Sequence, residues 1–400
     1  MIKKVMIMPG GQYQVSLIQK ARHRGYHVIC TDRNPECPGS LEAHEFYKAS
    51  LDDIDLLKMI VDYTKPSVIL TDQTDSAVEI VAYLSEYANL KGIGKSCAEL
   101  FRQKNLMREF SSLYGFPTPK FRICADGNEA FTAANEIGFP LIIKPLDSQS
   151  SKGVYRIDDK DKLLEKFPFA MEQSSSGKIL VEQFIDGIEF TAEGFMSLIG
   201  HKTLAISVKT HYKHSETIAN SLLYINKSEN YNFKELRRIN DTWVNYSKLP
   251  FGMTHAEYIL SDGMFYLVEI AARGGGTRIS SDIVPWLSNI SYQDLLLDVA
   301  VEGKGDLIFD FDYSDLPQKT GLLEFFDIRP GTISSISGIK EAKNMLGVRD
   351  IFFPYSIGET IPPIINDVSR SGYFILLGKT ESDICSLRKA ISETIFIEVQ

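Results

Sequence analysis

Residues 253–281 read MTHAEYILSDGMFYLVEIAARGGGTRISS, two apolar segments around the polar pair Asp262-Gly263. This pattern predicts a β-hairpin with strands over Thr254–Leu260 and Phe265–Ile270. Each strand carries one acid in an apolar setting, and these acids are Glu257 and Glu269. A buried carboxylate is costly unless it is paired or bound to a metal. Because Mg²⁺ prefers a few carboxylates plus nucleotide phosphate oxygens, the hairpin indicates a hard-cation site.

The register of the hairpin decides whether its two acids share a face. A two-residue turn at Asp262-Gly263 pairs Glu257 with Val268, and Glu269 then faces away. A three-residue turn or a bulge pairs Glu257 with Glu269 instead. The sequence leaves both registers open.

Composition indicates a globular chain of two or three domains. The chain has 400 residues, more than one core normally supports, and its 44% hydrophobic and 24% charged content is ordinary. The net charge is −9 and no basic block occurs, which argues against nucleic acid as a partner. The five cysteines are scattered without a CxxC pair, so we expect reduced thiols in a cytoplasmic protein.

The start of the chain predicts a parallel sheet rather than a targeting segment. The apolar run in MIKKVMIMPGG is too short for a signal peptide and is interpreted as a first strand. No apolar stretch reaches the roughly 18 residues of a membrane span. Strands and helices alternate through the first ninety-odd residues, which is typical of a doubly wound sheet.

Two motifs imitate nucleotide-binding loops. Gly10-Gly11 and Asp32 follow the first two predicted strands, but the full G-x-G-x-x-G is absent, so a tight turn is favoured. Gly94-Lys95-Ser96 resembles the end of a P-loop, but the motif requires Gly where this chain has Asn89. We therefore reject the P-loop interpretation.

The central segment places two lysines where they are open to two interpretations. Lys144 ends the apolar strand Pro140–Lys144 and either reaches solvent or neutralises a ligand. The polar loop Asp147–Gly153 that follows favours a ligand, since its small residues let N–H groups and hydroxyls close on phosphate oxygens. Lys104 lies on a helix predicted over Ala98–Tyr114 and, by itself, is a solvated charge.

The ordered set of motifs resembles the ATP-grasp superfamily. The set is Lys104, IIKP (Ile142–Pro145), the loop to Gly153, VEQFIDGIEF (Val181–Phe190), HAE (His255–Glu257) and EIAARGGG (Glu269–Gly276). The N-terminal TDQTDSAV (Thr71–Val78) is similar to the domain that precedes ATP-grasp in this group. The chain is most similar to carboxylate–amine ligases resembling L-amino acid ligases. It also resembles phosphoribosylglycinamide-synthetase-like and carbamoyl-phosphate-synthase-like proteins.

The resemblance implies a mixed α/β and α+β fold in three parts. A Rossmann-like pre-ATP-grasp domain would cover residues 1–96. A two-lobed ATP-grasp domain would cover residues 97–305, with a flexible phosphate loop at about residues 146–153. A C-terminal α+β domain would cover residues 306–400.

The resemblance also assigns a role to each site residue. Lys104 and Lys144 would bind ATP phosphates, Glu257 and Glu269 would bind Mg²⁺, and Arg273 would stabilise the transferring phosphate. The other expected ATP contacts are Ser150, Ser151 and Gly153 in the loop, Glu182, Gln183 and Phe184 around adenine, and Glu189 at the ribose. The expected approach to the acceptor carboxylate is over Gly274, Gly275 and Gly276.

One position departs from the family pattern. Many relatives carry Asn two residues after the second metal acid, where this chain has Ala271. Either Glu269 bridges two ions unaided or one Mg²⁺ site is weaker, and Mn²⁺ is a possible substitute. The phosphate loop is also serine-rich where many relatives are glycine-rich.

The implied reaction joins a carboxylate to an amine through an acyl-phosphate, releasing ADP and phosphate. The phosphoryl step depends on charge neutralisation, and a closing loop excludes water. His255 and His211 are candidate bases for the amine, although a histidine beside a metal acid more often orients its neighbours. Lys209 is placed with the catalytic residues, and it and His211 are also candidate substrate contacts.

Three alternatives stay open at this point. The first is a ligase of the same scaffold that acts on a sugar-linked or nucleotide-precursor carboxylate. The second is a catalytically inactive ATP-binding regulatory protein. The third is a nicotinamide dehydrogenase, which the N-terminal rhythm suggests although the glycine fingerprint is missing. Small-molecule substrates are the expected partners, without nucleic acid or membrane, and a homodimer is a possible assembly.

Overall fold

The computed structural model describes residues 2–147, 151–305 and 312–400. The chain begins with four parallel strands separated by helices. The strands are β1 (Lys4–Ile7), β2 (His27–Asp32), β3 (Glu45–Lys48) and β4 (Val68–Leu70), and the helices are α1 (Val15–His23), α2 (Pro38–Glu42), α3 (Ile54–Thr64) and α4 (Asp75–Tyr87). The spatial order is β3-β2-β1-β4, which confirms the predicted doubly wound sheet.

The turn after β1 is built for close packing. The Gly10 N–H donates to the Asp32 carboxylate at 2.9 Å. A Cβ at Gly10 would lie 2.7 Å from the sulfurs of both Cys30 and Cys37, so any side chain there would collide. Asp32 therefore caps the turn of its own sheet, which supports the tight-turn interpretation.

The single helix predicted over Ala98–Tyr114 is wrong. Two helices form instead, α5 (Lys95–Leu100) and α6 (Lys104–Leu113). Between them Phe101 is buried and packs edge-on against Trp243, with ring centroids 5.4 Å apart. Burial of this aromatic ring outweighs the local helical periodicity, and α6 restarts with Lys104 as its first residue.

A second, antiparallel sheet follows. Its strands are β5 (Phe121–Cys124), β6 (Leu141–Pro145), β7 (Tyr155–Ile157) and β8 (Ile179–Gln183), with helices α7 (Gly127–Ile137) and α8 (Lys160–Glu172). The spatial order is β5-β8-β6-β7. The carboxylates of Asp126 and Asp159 accept backbone N–H groups at the N-termini of α7 and α8, as expected for N-caps.

A third, larger antiparallel sheet follows in the chain. Its first strands are β9 (Ile188–Ser197), β10 (Gly200–His211), β11 (Ala219–Ile225), β12 (Gly252–Ser261) and β13 (Met264–Ala271), with helices α9 (Phe233–Ser247), α10 (Val284–Ser288) and α11 (Tyr292–Leu297). Trp243 on α9 is fully buried and donates to the Ser111 hydroxyl at 3.0 Å. This contact ties α6 to the back of the sheet.

The C-terminal part extends this sheet rather than standing apart from it. Its elements are β14 (Thr320–Phe325), β15 (Gly331–Ser337), α12 (Ile339–Lys343), β16 (Val348–Phe352), β17 (Thr360–Ile361), β18 (Tyr373–Gly378), α13 (Glu381–Thr394) and β19 (Phe396–Val399). The eight-stranded order is β13-β12-β9-β10-β11-β14-β18-β16, and β17-β15-β19 form a small sheet. The domain limits at residues 96 and 305 stay a prediction, since the sheet continues past residue 305.

Helix α13 begins at a reciprocal capping box formed by Thr380 and Asp383. Among the described residues, every helix is too short or too polar to span a bilayer.

Candidate active site

The register of the hairpin is set by a β-bulge. Strands β12 and β13 are joined by the two residues Asp262 and Gly263, with φ of 48° and 75°, and Ser261 pairs with Met264. The register then shifts between Glu257 and Tyr258, which leaves Val268 as the extra residue. Glu257 therefore lies directly opposite Glu269, and the two carboxylates share a face. Of the two registers left open by the sequence, the bulged one is present.

Glu257 is surrounded by cations. Lys209 Nζ lies 2.9 Å from its Oε2, and His255 Nε2 lies 3.8 Å from its Oε1. Burial opposes ionisation, but Lys209 and His255 outweigh it and hold the pKa of Glu257 well below its usual range. Lys209 also lies 3.1 Å from Glu189. Despite burial, the two acids raise the pKa of Lys209, so this residue is an ammonium rather than a base.

The second acid of the hairpin contacts α6. Lys104 Nζ lies 3.4 Å from Glu269 Oε2, and the Lys104 side chain is 8% exposed. Lys104 is thus a buried cation and not the solvated charge that a lone helical lysine suggests. The described residues contain no group of three or more His, Cys, Asp or Glu side chains placed to hold a metal by themselves. Two paired carboxylates fit Mg²⁺, which retains waters and takes phosphate oxygens as its other ligands.

Lys144 points inward and shares a carboxylate with Arg108, an arginine that was not predicted as a site residue. Lys144 Nζ lies 2.5 Å from Glu182 Oε1, and Arg108 Nε lies 2.8 Å from Glu182 Oε2. Burial lowers the pKa of Lys144 to about 8, partly offset by Glu182. Burial works against Glu182 as well, yet Arg108 and Lys144 lower its pKa to about 2. Two buried cations and one anion leave a surplus positive charge, which favours an anionic ligand.

A cavity of about 390 Å³ lies between the two antiparallel sheets. Its lining contains eleven of the predicted site residues: Lys104, Lys144, Ser151, Glu182, Gln183, Phe184, Glu189, Lys209, His211, Glu257 and Glu269. Gly153 packs against Pro145 instead, with a positive φ of 71°. Ser150 lies outside the described residues. The Ser151 hydroxyl contacts the Thr217 carbonyl and the carboxylate of Asp367, a further wall residue from the C-terminal part.

His255 is held between two carboxylates. Its Nδ1 lies 2.7 Å from Glu193 Oε1, on the side away from Glu257. Burial lowers the pKa of His255, but Glu193 and Glu257 more than compensate and raise it to about 9. An imidazolium at neutral pH suits an orienting role, the alternative already favoured for a histidine beside such an acid, better than the candidate role of base. Glu193 was not predicted as a site residue, and its only signal in the sequence is an acid inside the apolar strand β9.

Arg273 connects the site to the N-terminal sheet. Its Nε and Nη2 each lie 2.7 Å from the carboxylate of Asp75, a bidentate pair. Asp75 begins α4 and belongs to the TDQTDSAV segment. Arg273, His255 and Asp75 line a second, smaller cavity of about 30 Å³, to which Lys104 and Glu269 also contribute. Lys104 and Glu269 therefore line both cavities.

The three glycines after Arg273 differ in their surroundings. A Cβ at Gly274 would lie 2.7 Å from Asp72 Oδ1, and a Cβ at Gly275 would lie 2.8 Å from Glu193 Oε2. Around Gly276 nothing described lies within 4 Å of a Cβ position. Close neighbours, Ser280 and Asp72 at Gly274 and Glu193 and Ile279 at Gly275, thus account for the first two glycines, and of the three only Gly276 has open space for a ligand.

Two family models match this chain. Residues 137–282 match the ATP-grasp domain, and residues 324–400 match the L-amino acid ligase C-terminal domain 2. The formate-dependent phosphoribosylglycinamide formyltransferase of Prochlorococcus marinus (strain NATL1A) is 26% identical over 186 residues, 46% of this chain and 48% of that protein. The chain spans about half the length of the curated relatives it matches. The two family models together identify an ATP-grasp domain followed by a C-terminal domain of the L-amino acid ligase type.

Solved structures share the whole fold. The L-amino acid ligase from Bacillus licheniformis superposes with a TM-score of 0.83 at 21% identity, over 100% of this chain and 99% of that one. The phosphoribosylglycinamide synthetase from Anaerococcus prevotii gives 0.76 at 19% identity, over 100% of both chains. The biotin carboxylase domain dimer of Hydrogenobacter thermophilus 2-oxoglutarate carboxylase, a complex with MgADP, gives 0.76 at 17% identity, over 100% of this chain and 91% of that one. The ATP-grasp fold expected from the motifs is confirmed.

Proposed function

We propose that this protein is an ATP-dependent, ADP-forming ligase that joins a carboxylate to an amine through an acyl-phosphate. One observation carries the proposal: buried lysines and the paired acids Glu257 and Glu269 line the same cavity. The surplus positive charge around Lys144 suits the phosphates of a nucleotide, and the acid pair suits Mg²⁺. When bound, Mg²⁺ neutralises charge on the transferring phosphoryl group.

The remaining residues supply binding and orientation in this proposal. Lys104 and Lys144 hold ATP phosphates, residues 182–184 border the adenine, and Glu189 accepts ribose hydroxyls. In the first step a carboxylate oxygen attacks the γ-phosphorus and ADP leaves. In the second step the amine attacks the acyl carbon, phosphate leaves, and the nitrogen gives up a proton. Arg273 balances the negative charge of the acyl-phosphate from the smaller cavity.

The acceptor side of the site favours a small carboxylate, such as that of an amino acid. The C-terminal match to an L-amino acid ligase domain and the open space at Gly276 both support this choice. A second candidate of the same reaction class is a ligase of nucleotide precursors, which the names of the curated relatives favour. The two candidates differ in substrate and not in the ATP site.

We further propose a cytoplasmic homodimer acting on small molecules. All five cysteines are free thiols in the described structure, which fits a reducing compartment. One similar solved domain is described as a dimer. Light scattering of the purified protein at two concentrations tests the dimer, and a monomer at both would refute it.

The test of the proposed reaction is a phosphate-release screen with ATP and Mg²⁺. The pools are amino acids, sugar acids, and formate with phosphoribosylglycinamide, and Glu269→Gln serves as the control enzyme. A positive pool should also yield a product whose mass is the sum of its two substrates minus one water. ATP binding without release above the control in any pool would support the inactive regulatory protein instead.

A further inference from the structure

A single buried guanidinium spans the two sheets that enclose the larger cavity. Arg108 lies on α6 and is 2% exposed. Its Nε donates to Glu182 Oε2 at 2.8 Å, and its Nη2 lies 3.4 Å from Glu182 Oε1. Glu182 lies on β8, in the four-stranded antiparallel sheet. The same Nη2 donates to the carbonyl of Val268 at 2.9 Å, on the eight-stranded sheet. Arginine suits this position because its planar fork presents several donors in fixed directions.

The carbonyl that accepts from Arg108 belongs to Val268, the extra residue of the bulge in the hairpin. A β-bulge leaves its extra residue outside the regular ladder, so the backbone groups there need another partner. Arg108 supplies that partner. Without this donor, a regular register that pairs Glu257 with Val268 would regain the lost ladder contact and turn Glu269 to the opposite face.

Through its contact with Glu182, Arg108 also affects the net charge around Lys144. Glu182 accepts from both Arg108 and Lys144, so the three groups together carry a net positive charge. Without Arg108, Lys144 and Glu182 would neutralise each other as a simple pair. Lys104 stands one turn earlier on the same helix face and contacts Glu269. Helix α6 therefore touches both the phosphate end and the metal end of the site.

We propose that Arg108 is a positioning residue for the metal acids. It stabilises the bulge that places Glu257 opposite Glu269, and through Glu182 it keeps the charge of Lys144 available to the ligand. The inference rests on the proposed function, because it takes the paired acids as the Mg²⁺ ligands. The two effects are separable, since only the first depends on the Val268 carbonyl.

Direct binding of ATP, with and without Mg²⁺, separates these effects by titration calorimetry. Arg108→Lys keeps a positive charge near Glu182, but one ammonium replaces the rigid fork that serves both partners. We expect ATP alone to bind close to the wild-type affinity, whereas the gain in affinity from Mg²⁺ falls about tenfold, equivalent to about 1.4 kcal/mol. Arg108→Met should lower both the affinity for ATP alone and the gain in affinity from Mg²⁺. Arg122→Lys, in an exposed ion pair with Glu136, is the matched control and should lose neither.

The outcomes distinguish the inference from its foundation. If Arg108→Lys keeps the full Mg²⁺ gain, the positioning role is refuted. If Arg108→Lys lowers the affinity for ATP alone and the Mg²⁺ gain equally, and the unfolding temperature falls as well, Arg108 is a general structural residue and the inference also fails. If the wild type binds neither ATP nor MgATP, the proposed function itself fails. Should Arg108→Lys not fold, Arg108→Gln replaces it; because its amide is neutral, we expect a weaker affinity for ATP alone as well as a smaller gain from Mg²⁺, and an unchanged Mg²⁺ gain would refute the positioning role.

Discussion

Substituting Gly275 by alanine tests whether the glycine run is required by packing or by a substrate. The new Cβ would lie 2.8 Å from both Glu193 Oε2 and Ile279 Cγ2, well inside van der Waals contact. Glu193 cannot retreat cheaply, because it is fully buried and its Oε1 contacts His255 at 2.7 Å and Tyr224 at 3.1 Å. Overpacking costs about 1–3 kcal/mol, and weakening the charged hydrogen bond adds about 1 kcal/mol or more. We expect a total loss of about 2–4 kcal/mol in the free energy of unfolding.

Gly276→Ala is the matched control for this substitution. It changes the neighbouring glycine by the same methyl group, and neither position has a left-handed φ, so the two variants differ in surroundings and not in backbone strain. Urea unfolding of both variants gives the comparison, with Gly276→Ala expected within about 0.5 kcal/mol of wild type. Equal stability of the two variants would refute the packing argument for Gly275. A stable Gly276→Ala protein that loses phosphate release would place a substrate at Gly276.

Three further predictions concern charged groups of the site. Glu269→Gln should abolish the Mg²⁺-dependent part of ATP binding, while Glu165→Gln on the exposed face of α8 should not; normal MgATP binding by Glu269→Gln would contradict the metal assignment. Because the pKa of Lys144 is lowered to about 8, its ammonium is present below that pH and lost above it. ATP affinity of the wild type should therefore fall as the pH rises through about 8, and in Lys144→Arg this fall should disappear; a pH-independent wild type would refute it. Asp75→Asn leaves the guanidinium of Arg273 buried without its carboxylate, so we expect a loss of about 3–5 kcal/mol in urea unfolding, and a loss below about 1 kcal/mol would count against the pair.

Local patterns predicted the hairpin and the alternation of strands and helices that opens the chain. Alternation of apolar residues and the Asp262-Gly263 pair placed the hairpin strands within two residues of their observed ends, because period and turn chemistry are properties of short segments. The cap at Thr380 was predictable for the same reason. The helix over Ala98–Tyr114 was not, since the break at Phe101 depends on Trp243, a residue far along the chain.

The candidate site shows the same division. Eleven predicted residues line one cavity, because the resemblance of the ordered motifs to ATP-grasp ligases implies which side chains accompany one another. Arg108, Glu193 and Asp75 were missed as site residues, since each acts through a partner more than fifty residues away. An arginine on a helix or an acid in a strand has no local signal that distinguishes such a pairing from a solvated charge.

By itself the sequence determined the two strands of the hairpin, the order of the motifs and the presence of two acids on one hairpin. Tertiary structure alone decided that these acids face each other. The bulge at Val268 sets Glu257 opposite Glu269, and the donor to the Val268 carbonyl is Arg108, on the distant helix α6. It also decided the charge state around Lys144, which depends on burial and on Glu182. Residue type and spacing are encoded locally, whereas register and electrostatics depend on groups that only folding brings together.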